Sequence, residues 1–147
     1  MPVPQAGSLV LFSKTVMNQS DNNLKQFRIF KLGEGFEVWV GKDSSANDLL
    51  TIKYTSQSDL WFHVRGSSGS HTVLKIPEDS TAIPKEYIKA AASIAAFYSK
   101  SKNAKNVPVA YTQAKNVQKY KGAKSGSVII KGEKIVKVNP GTPEDKG

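Results

Sequence analysis

Cysteine is absent from the 147-residue chain. That removes a thiolate nucleophile, a CxxC redox pair and any cysteine-rich zinc site at once. Histidine, the side chain best suited to move protons near neutral pH, occurs only twice, at His63 and His71. Long apolar runs are missing too. A membrane helix needs about 20 consecutive apolar residues, and the N-terminal candidate, Leu9 to Phe12, falls far short. It also lacks a basic leader and a cleavage-site context, so a soluble, unsecreted, cytoplasmic protein without a membrane partner is expected. The most informative absence is local: from Tyr87 to Gly132 there is no Asp or Glu.

That acid-free stretch carries nine lysines, namely Lys89, Lys100, Lys102, Lys105, Lys115, Lys119, Lys121, Lys124 and Lys131, and these account for the whole net charge of +9. The remaining residues balance, with 12 basic and 12 acidic groups. Segregated positive charge suits a polyanion, because neutralising phosphates releases condensed counterions. The alternative is a solvated face that only keeps the chain soluble. The length suits one domain, since chains of about 150 residues bury roughly 70% of the surface exposed when unfolded. With 39% hydrophobic and 22% charged residues, the composition is that of a folded protein.

Residues 1–26 read as an extension with one weak strand, and FRIFKLGEGFEVWVGK as a β-hairpin turning at Gly33, Glu34 and Gly35. Asn47 to Tyr54 is either a strand or a short helix capped by Asn47 or Asp48. Leu60–Val64 and His71–Ile76 read as paired strands around RGSSGS. Alternation puts Leu60, Phe62 and Val64 on one face and Trp61, His63 and Arg65 on the other, with His63 opposite His71 if the turn closes over Gly66, Ser67 and Ser68. A helix starts near Pro84 and runs to about Lys100, with a stripe of Ile88, Ala91, Ala92, Ala95 and Tyr98. Lys100 and Lys102 suit its negative C-terminal end. Val107–Tyr111 reads as a strand, and Ser127–Val138 as a hairpin turning at Gly132 and Glu133. The sum is a single α+β domain, an antiparallel-rich sheet packed against one long helix over residues 27–138, with a mobile Pro/Gly-rich tail over 139–147.

Two look-alike motifs fail. GSSGS has Ser70 where a nucleophile elbow needs glycine. Gly35 and Gly41-Lys42 are separated by five residues, and Asp43 stands where a phosphate loop carries Ser or Thr. His63 and His71 with Asp59 have the residue types of an acid/base or metal group, but a catalytic zinc takes three protein ligands and a second shell. Hydrogen bonding to the turn or to a ligand phosphate is the other reading of the histidines, and a structural role is a third. No catalytic set, metal or cofactor is expected.

Four blocks, GKDSSAND (41–48), DLWFHVRGSSGSH (59–71), KAAASIAAFYSKSKNAKNVPVAYT (89–112) and VQKYKGAKSGSVII (117–130), resemble the NFACT RNA-binding domain in content and order. The resemblance favours the helix at Asn47. In larger NFACT proteins this domain accompanies an N-terminal module and a coiled coil, and those proteins act in ribosome-associated quality control on the large ribosomal subunit. For some bacterial solo forms a link to tRNA modification has been suggested from context. The resemblance therefore implies a non-catalytic domain that recognises tRNA or ribosomal RNA. A part in tRNA modification, general polyanion or DNA binding, and docking on an acidic protein are the alternatives.

The expected contacts are of three kinds. Lys119, Lys121 and Lys124, then Lys100, Lys102 and Lys105, would meet phosphates. Trp61, in line with His63 and Arg65, and Tyr120, between two lysines, would stack on bases; Tyr111 raises the same question. Gly69, Ser70 and His71 stand inside a matching block, and Gly66 and Gly69 can offer backbone amides to an anion.

Overall fold

The computed structural model describes residues 24–66, 69–119 and 128–143. The expected first hairpin is present: β1 (Phe27–Gly33) and β2 (Phe36–Gly41) pair antiparallel, with Phe27 opposite Gly41. Its turn runs through Gly33, Glu34 and Gly35 at φ of 122°, 55° and 86°. Glycine takes such angles freely and glutamate does not. The Tyr87 hydroxyl, donating to the Glu34 carboxylate at 3.1 Å, helps to hold the strained residue.

Helix α1 (Ser44–Lys53) follows, so the ambiguous segment is helical. Its cap is Asp43, whose carboxylate accepts from the Ala46 amide at 2.8 Å, and not Asn47 or Asp48. The helix therefore starts a turn earlier than its apolar residues suggest. Strands β3 (Leu60–Val64) and β4 (Thr72–Lys75) pair antiparallel in the expected register, Leu60 to Leu74, Trp61 to Val73 and Phe62 to Thr72. One step further, His63 stands opposite His71, and their rings are 6.3 Å apart.

After α2 (Lys85–Phe97) come β5 (Val107–Gln113), a 3-10 turn (Ala114–Asn116), β6 (Val117–Gln118), β7 (Ile129–Ile130) and β8 (Lys134–Val138). Six strands form one sheet in the order β1-β2-β4-β3-β5-β8, every neighbouring pair antiparallel. The expected second hairpin does not form. Instead β7 pairs with β6 as a separate ribbon, while β8 pairs with β5. The parting occurs at Lys131, whose amide donates to the Asn116 carbonyl at 3.2 Å and whose carbonyl accepts from the Thr112 hydroxyl at 2.9 Å. Gly132, at φ 62°, then turns the chain into β8.

Each face of the sheet carries a helix, which corrects the expectation of one long helix. Helix α2 lies on the face made by Phe30, Phe36, Val38, Val40, Leu60, Phe62, Val64, Leu74, Val107 and Val109. Its buried Ala91, Ala92, Ala95 and Ala96 let it approach closely, and Ile94 fills the interface. On the opposite face Phe27, Trp39, Trp61 and Val73 form a second core with Ala46 and Leu50 of α1. Val117, Val128 and Ile130, from the ribbon and its flank, pack against it. The odd-numbered residues of β3 and β4 thus build a core of their own where alternation had suggested a more polar side.

The weak strand expected within residues 1–26 lies outside the described residues, apart from Leu24 to Gln26. Of the tail, residues 139–143 lie along α2: the Gly141 amide donates to the Ser93 carbonyl at 3.1 Å, Asn139 accepts from the Asn106 amide at 3.0 Å, and Thr142 is buried. Residues 144–147 are outside the described part.

One buried carboxylate ties the far end of the sheet together. Asp59 accepts from the Ser56 amide at 2.8 Å, the Ile76 amide at 2.9 Å and Lys75 Nζ at 2.8 Å. The Lys75 ammonium also donates to the Tyr54 carbonyl at the end of α1. Replacing Asp59 by Ala orphans two amides and an ammonium, so unfolding free energy should fall by about 3 kcal/mol in urea titration. Thr72 presents the opposite case. Among the described residues its buried hydroxyl has no hydrogen-bond partner. Thr72→Val should raise stability by about 1 kcal/mol in the same titration.

Candidate nucleic-acid interface

The GKDSSAND and DLWFHVRGSSGSH blocks meet at one point. Buried Asn47, in α1, accepts the His71 amide on its Oδ1 at 3.0 Å, and Gly41 donates its amide to the His71 carbonyl at 3.2 Å. A side chain at Gly41 is excluded, because a Cβ there would stand 2.2 Å from Asn47 Oδ1 and 2.9 Å from its backbone nitrogen. Sequence reasoning set Asn47 aside as a helix cap. Its real work is to dock α1 on the sheet beside the histidines.

Beneath α1 the aromatic residues form a layered cluster. The Thr51 hydroxyl accepts from Trp61 Nε1 at 3.2 Å and is hydrogen-bonded to His71 Nδ1 at 2.9 Å. The Trp61 ring lies nearly parallel to that of His63, centroids 5.8 Å apart and planes 11° apart, and edge-on to His71 at 5.0 Å. Trp61 is 1% exposed and His71 2%, so both rings are internal supports and not open platforms. His63 is only half-buried and is the part of this cluster that reaches the surface. Asp59 does not join it: its carboxylate is taken up by Ser56, Ile76 and Lys75 at the other end of β3. Among the described residues no group of three His, Asp or Glu is placed to hold a metal.

The remaining expected contacts divide. Gly69 bridges to Ser99, where a Cβ would meet the Ser99 side chain at 2.8 Å, and the Ser70 amide donates to the Tyr98 carbonyl at 3.2 Å. These two residues anchor the turn after β3 to the end of α2 and bring it beside Lys100. Lys100, Lys102 and Lys105 are exposed there, Lys102 lying over the Phe97 ring at 4.3 Å. Lys119 is elsewhere, on the α1 side, paired with Asp48 at 3.3 Å and 16% exposed, so it is not an unengaged phosphate contact. Tyr111 stacks on Phe62 against the α2 core. Tyr120, Lys121 and Lys124 lie outside the described residues. The lysines contiguous in sequence are thus distributed over at least two places.

Next to His63 the second core ends. Register sets three rows across β3, β5 and β8: Trp61 beside Thr112, His63 beside Ala110 and Ile135, and Arg65 leading to Pro108 and Lys137. Ile135 is 42% exposed although strongly apolar. Arg65 Nη1 stands 3.7 Å from Glu133 Oε2, just before β8. Sequence reasoning missed Ile135, Lys137 and Glu133. The alternation of KIVKV gave the only signal, placing Ile135 and Lys137 on one face.

Burial lowers the His63 pKa from its ordinary value of 6.5, and the nearby Glu133 carboxylate opposes this in part. The unfolded chain therefore takes up the His63 proton more readily than the folded one. The resulting stability is in full above about 6.5 and is lost as pH falls through the lower folded value. Melting followed by circular dichroism should show the midpoint dropping on acidification, and His63→Gln should show a smaller drop.

The family model of the NFACT protein RNA binding domain matches residues 26–134. The Rqc2 homolog RqcH of Bacillus subtilis (strain 168) is 37% identical over 106 residues, 72% of this chain and 18% of that protein. Coiled-coil domain-containing protein 25 of Danio rerio is 31% identical over 104 residues, 69% of this chain and 50% of that one. Among solved structures, the C-terminal part of the fibronectin/fibrinogen-binding protein from Streptococcus suis superposes with a TM-score of 0.72 at 34% identity, covering 82% of this chain and 47% of that one. The chain spans at most half the length of these relatives. Because the family match runs through both helices, the ribbon and the start of the last strand, the chain belongs to the NFACT RNA-binding domain family.

Proposed function

We propose that this chain is a non-catalytic binder of structured RNA, tRNA or ribosomal RNA, acting in the cytoplasm in ribosome-associated quality control with the large ribosomal subunit as its partner. Two lines support this reading. The family is defined by an RNA-binding domain, and relatives with 37% identity are RqcH proteins. The observation that carries it is electrostatic. Six lysines of the acid-free stretch, Lys89, Lys100, Lys102, Lys105, Lys115 and Lys131, are exposed. A surface of that composition holds phosphates by counterion release, and its affinity falls steeply with salt.

The mechanism is noncovalent. Lysines position the sugar-phosphate chain without reading sequence, and selectivity falls to the few groups that meet unpaired bases. Lys100, Lys102 and Lys105, gathered after α2 near Gly69, are an exposed cluster inside the third resembling block. The Asp59 network and the buried His71 act as framework for this surface.

Fluorescence anisotropy with labelled tRNA, a ribosomal RNA hairpin, duplex DNA and heparin at several salt concentrations tests the reading. Both RNAs should bind more tightly than duplex DNA at equal salt, and equal affinity for all four would reduce the chain to a general polyanion binder. Replacing Lys100, Lys102 and Lys105 by Ala should lower the slope of log K against log salt by up to about 0.7 per lost contact to a single strand. An unchanged slope excludes those lysines from the interface.

A further inference from the structure

Helix α1 and the β6-β7 ribbon cover Trp39, Trp61 and Val73, and from His63 to β8 the paired side chains of Arg65 and Glu133 cross the same face. Its central row is His63, Ala110 and Ile135. Ala110 is 2% exposed, so the accessible parts of the row are the half-buried imidazole and the exposed isoleucine. Strands lie about 4.8 Å apart, so three of them offer a floor roughly 10 Å wide, the scale of one nucleobase. The orientation of the imidazole is set by Trp61, to which its ring lies parallel and which is itself fixed by Thr51.

Charge supplies the second part. From Tyr87 to Pro143 the sequence contains a single acidic residue, Glu133. Its carboxylate faces Arg65, and in register the two residues flank the central row, so the ion pair spans it. The contact is loose, 3.7 Å, with the two side chains 62% and 32% exposed. Exposed pairs of this kind contribute little to stability and exchange partners readily. A guanidinium fork also matches phosphate geometry as well as it matches carboxylate. Lys137, on the same face of β8 and exposed, adds positive charge beside it.

Resting on the RNA-binding reading above, we propose that the face of β3, β5 and β8 beside His63 is a site for an unpaired stretch of RNA. A phosphate takes the place of Glu133 on Arg65, and the base attached to it packs against His63 and Ile135. The lone carboxylate acts as an internal stand-in for the phosphate. It keeps Arg65 over the site when RNA is absent and competes with RNA when it is present.

The test uses the full chain, a labelled 12-nucleotide single-stranded RNA carrying one 2-aminopurine, and an RNA duplex of equal length. Glu133→Gln should tighten the single strand, by up to about fivefold. Glu78→Gln, an equal change of charge at an exposed position outside the rows, should have a smaller effect. Arg65→Ala should weaken the single strand more than the duplex. Ile135→Asp, at an exposed position and with its fold checked by circular dichroism, should weaken it about tenfold and abolish the 2-aminopurine quenching seen with the unaltered chain. Equal gains from the two glutamine variants, or quenching that survives Ile135→Asp, overturn the site while RNA binding stands. Failure of the unaltered chain to bind either RNA overturns the RNA reading itself.

Discussion

The contact between Asn47 and the His71 amide governs how the α1 face is built. A six-stranded sheet has two apolar faces to hide, and α2 hides only one of them. The other presents two tryptophans and a valine, and a ten-residue helix with only Ala46, Asn47 and Leu50 buried covers little area by itself. Hydrophobic contact alone would leave such a helix free to slide, because apolar burial has no preferred direction. The buried amide supplies direction. Asn47 Oδ1 receives one backbone proton at 3.0 Å, and a Cβ at Gly41 would occupy the place of the amide side chain. Position along the sheet is thereby fixed, and with it Thr51, which reaches both Trp61 and His71 from the same helix.

From that placement follows which rings are supports and which one is exposed. Thr51 and α1 close over His71 and Trp61, and His63 remains at the margin of the covered area because it lies one residue pair further along β3. The same margin brings it near Glu133 while burial still lowers its proton affinity. The far end of β3 has a different task. There Asp59, joined to Lys75, Ser56 and Ile76, fastens strand ends and loop, which keeps the sheet rigid along the length that positions His63 and Arg65. Two histidines and an aspartate that look like one group in sequence therefore serve separate functions at opposite ends of a five-residue strand.

Alternation made much of this legible. The split of β3 into Leu60, Phe62, Val64 and Trp61, His63, Arg65 holds, as does the pairing register that faces His63 with His71. Periodicity found α2 within a few residues because its alanine stripe is long. It could not decide α1, whose ten residues bury too few side chains to leave a clear period. Nor could it show that Trp61 is covered, since strand alternation says which face a residue occupies and nothing about what lies over that face. The second hairpin was misread for a related reason. The chain does bend at Gly132, but the partner strands are chosen by Thr112 and Asn116, residues distant in sequence that capture Lys131. Resemblance to the family located the blocks and left the side-chain contacts to be found.

Contiguous charge in a sequence is weak information about contiguous charge on a surface. The acid-free segment passes through α2, an edge loop, β5 and the ribbon, so its lysines are carried to separate places. Lys119 makes a pair with Asp48 on α1, whereas Lys100, Lys102 and Lys105 gather beyond the end of α2. What survives this dispersal is the shortage of acids. A long-range field depends on the sum of charges more than on their order, and exposed cations with few opposing carboxylates keep a positive potential even when spaced apart. In such a field a single carboxylate has unusual weight. Glu133 lowers the potential where Arg65 and Lys137 would otherwise raise it, and it does so beside the most exposed apolar residue of β8. The charge pattern and the packing pattern thus converge on the same stretch of β3, β5 and β8, although the first is read from missing residues and the second from a side chain left uncovered.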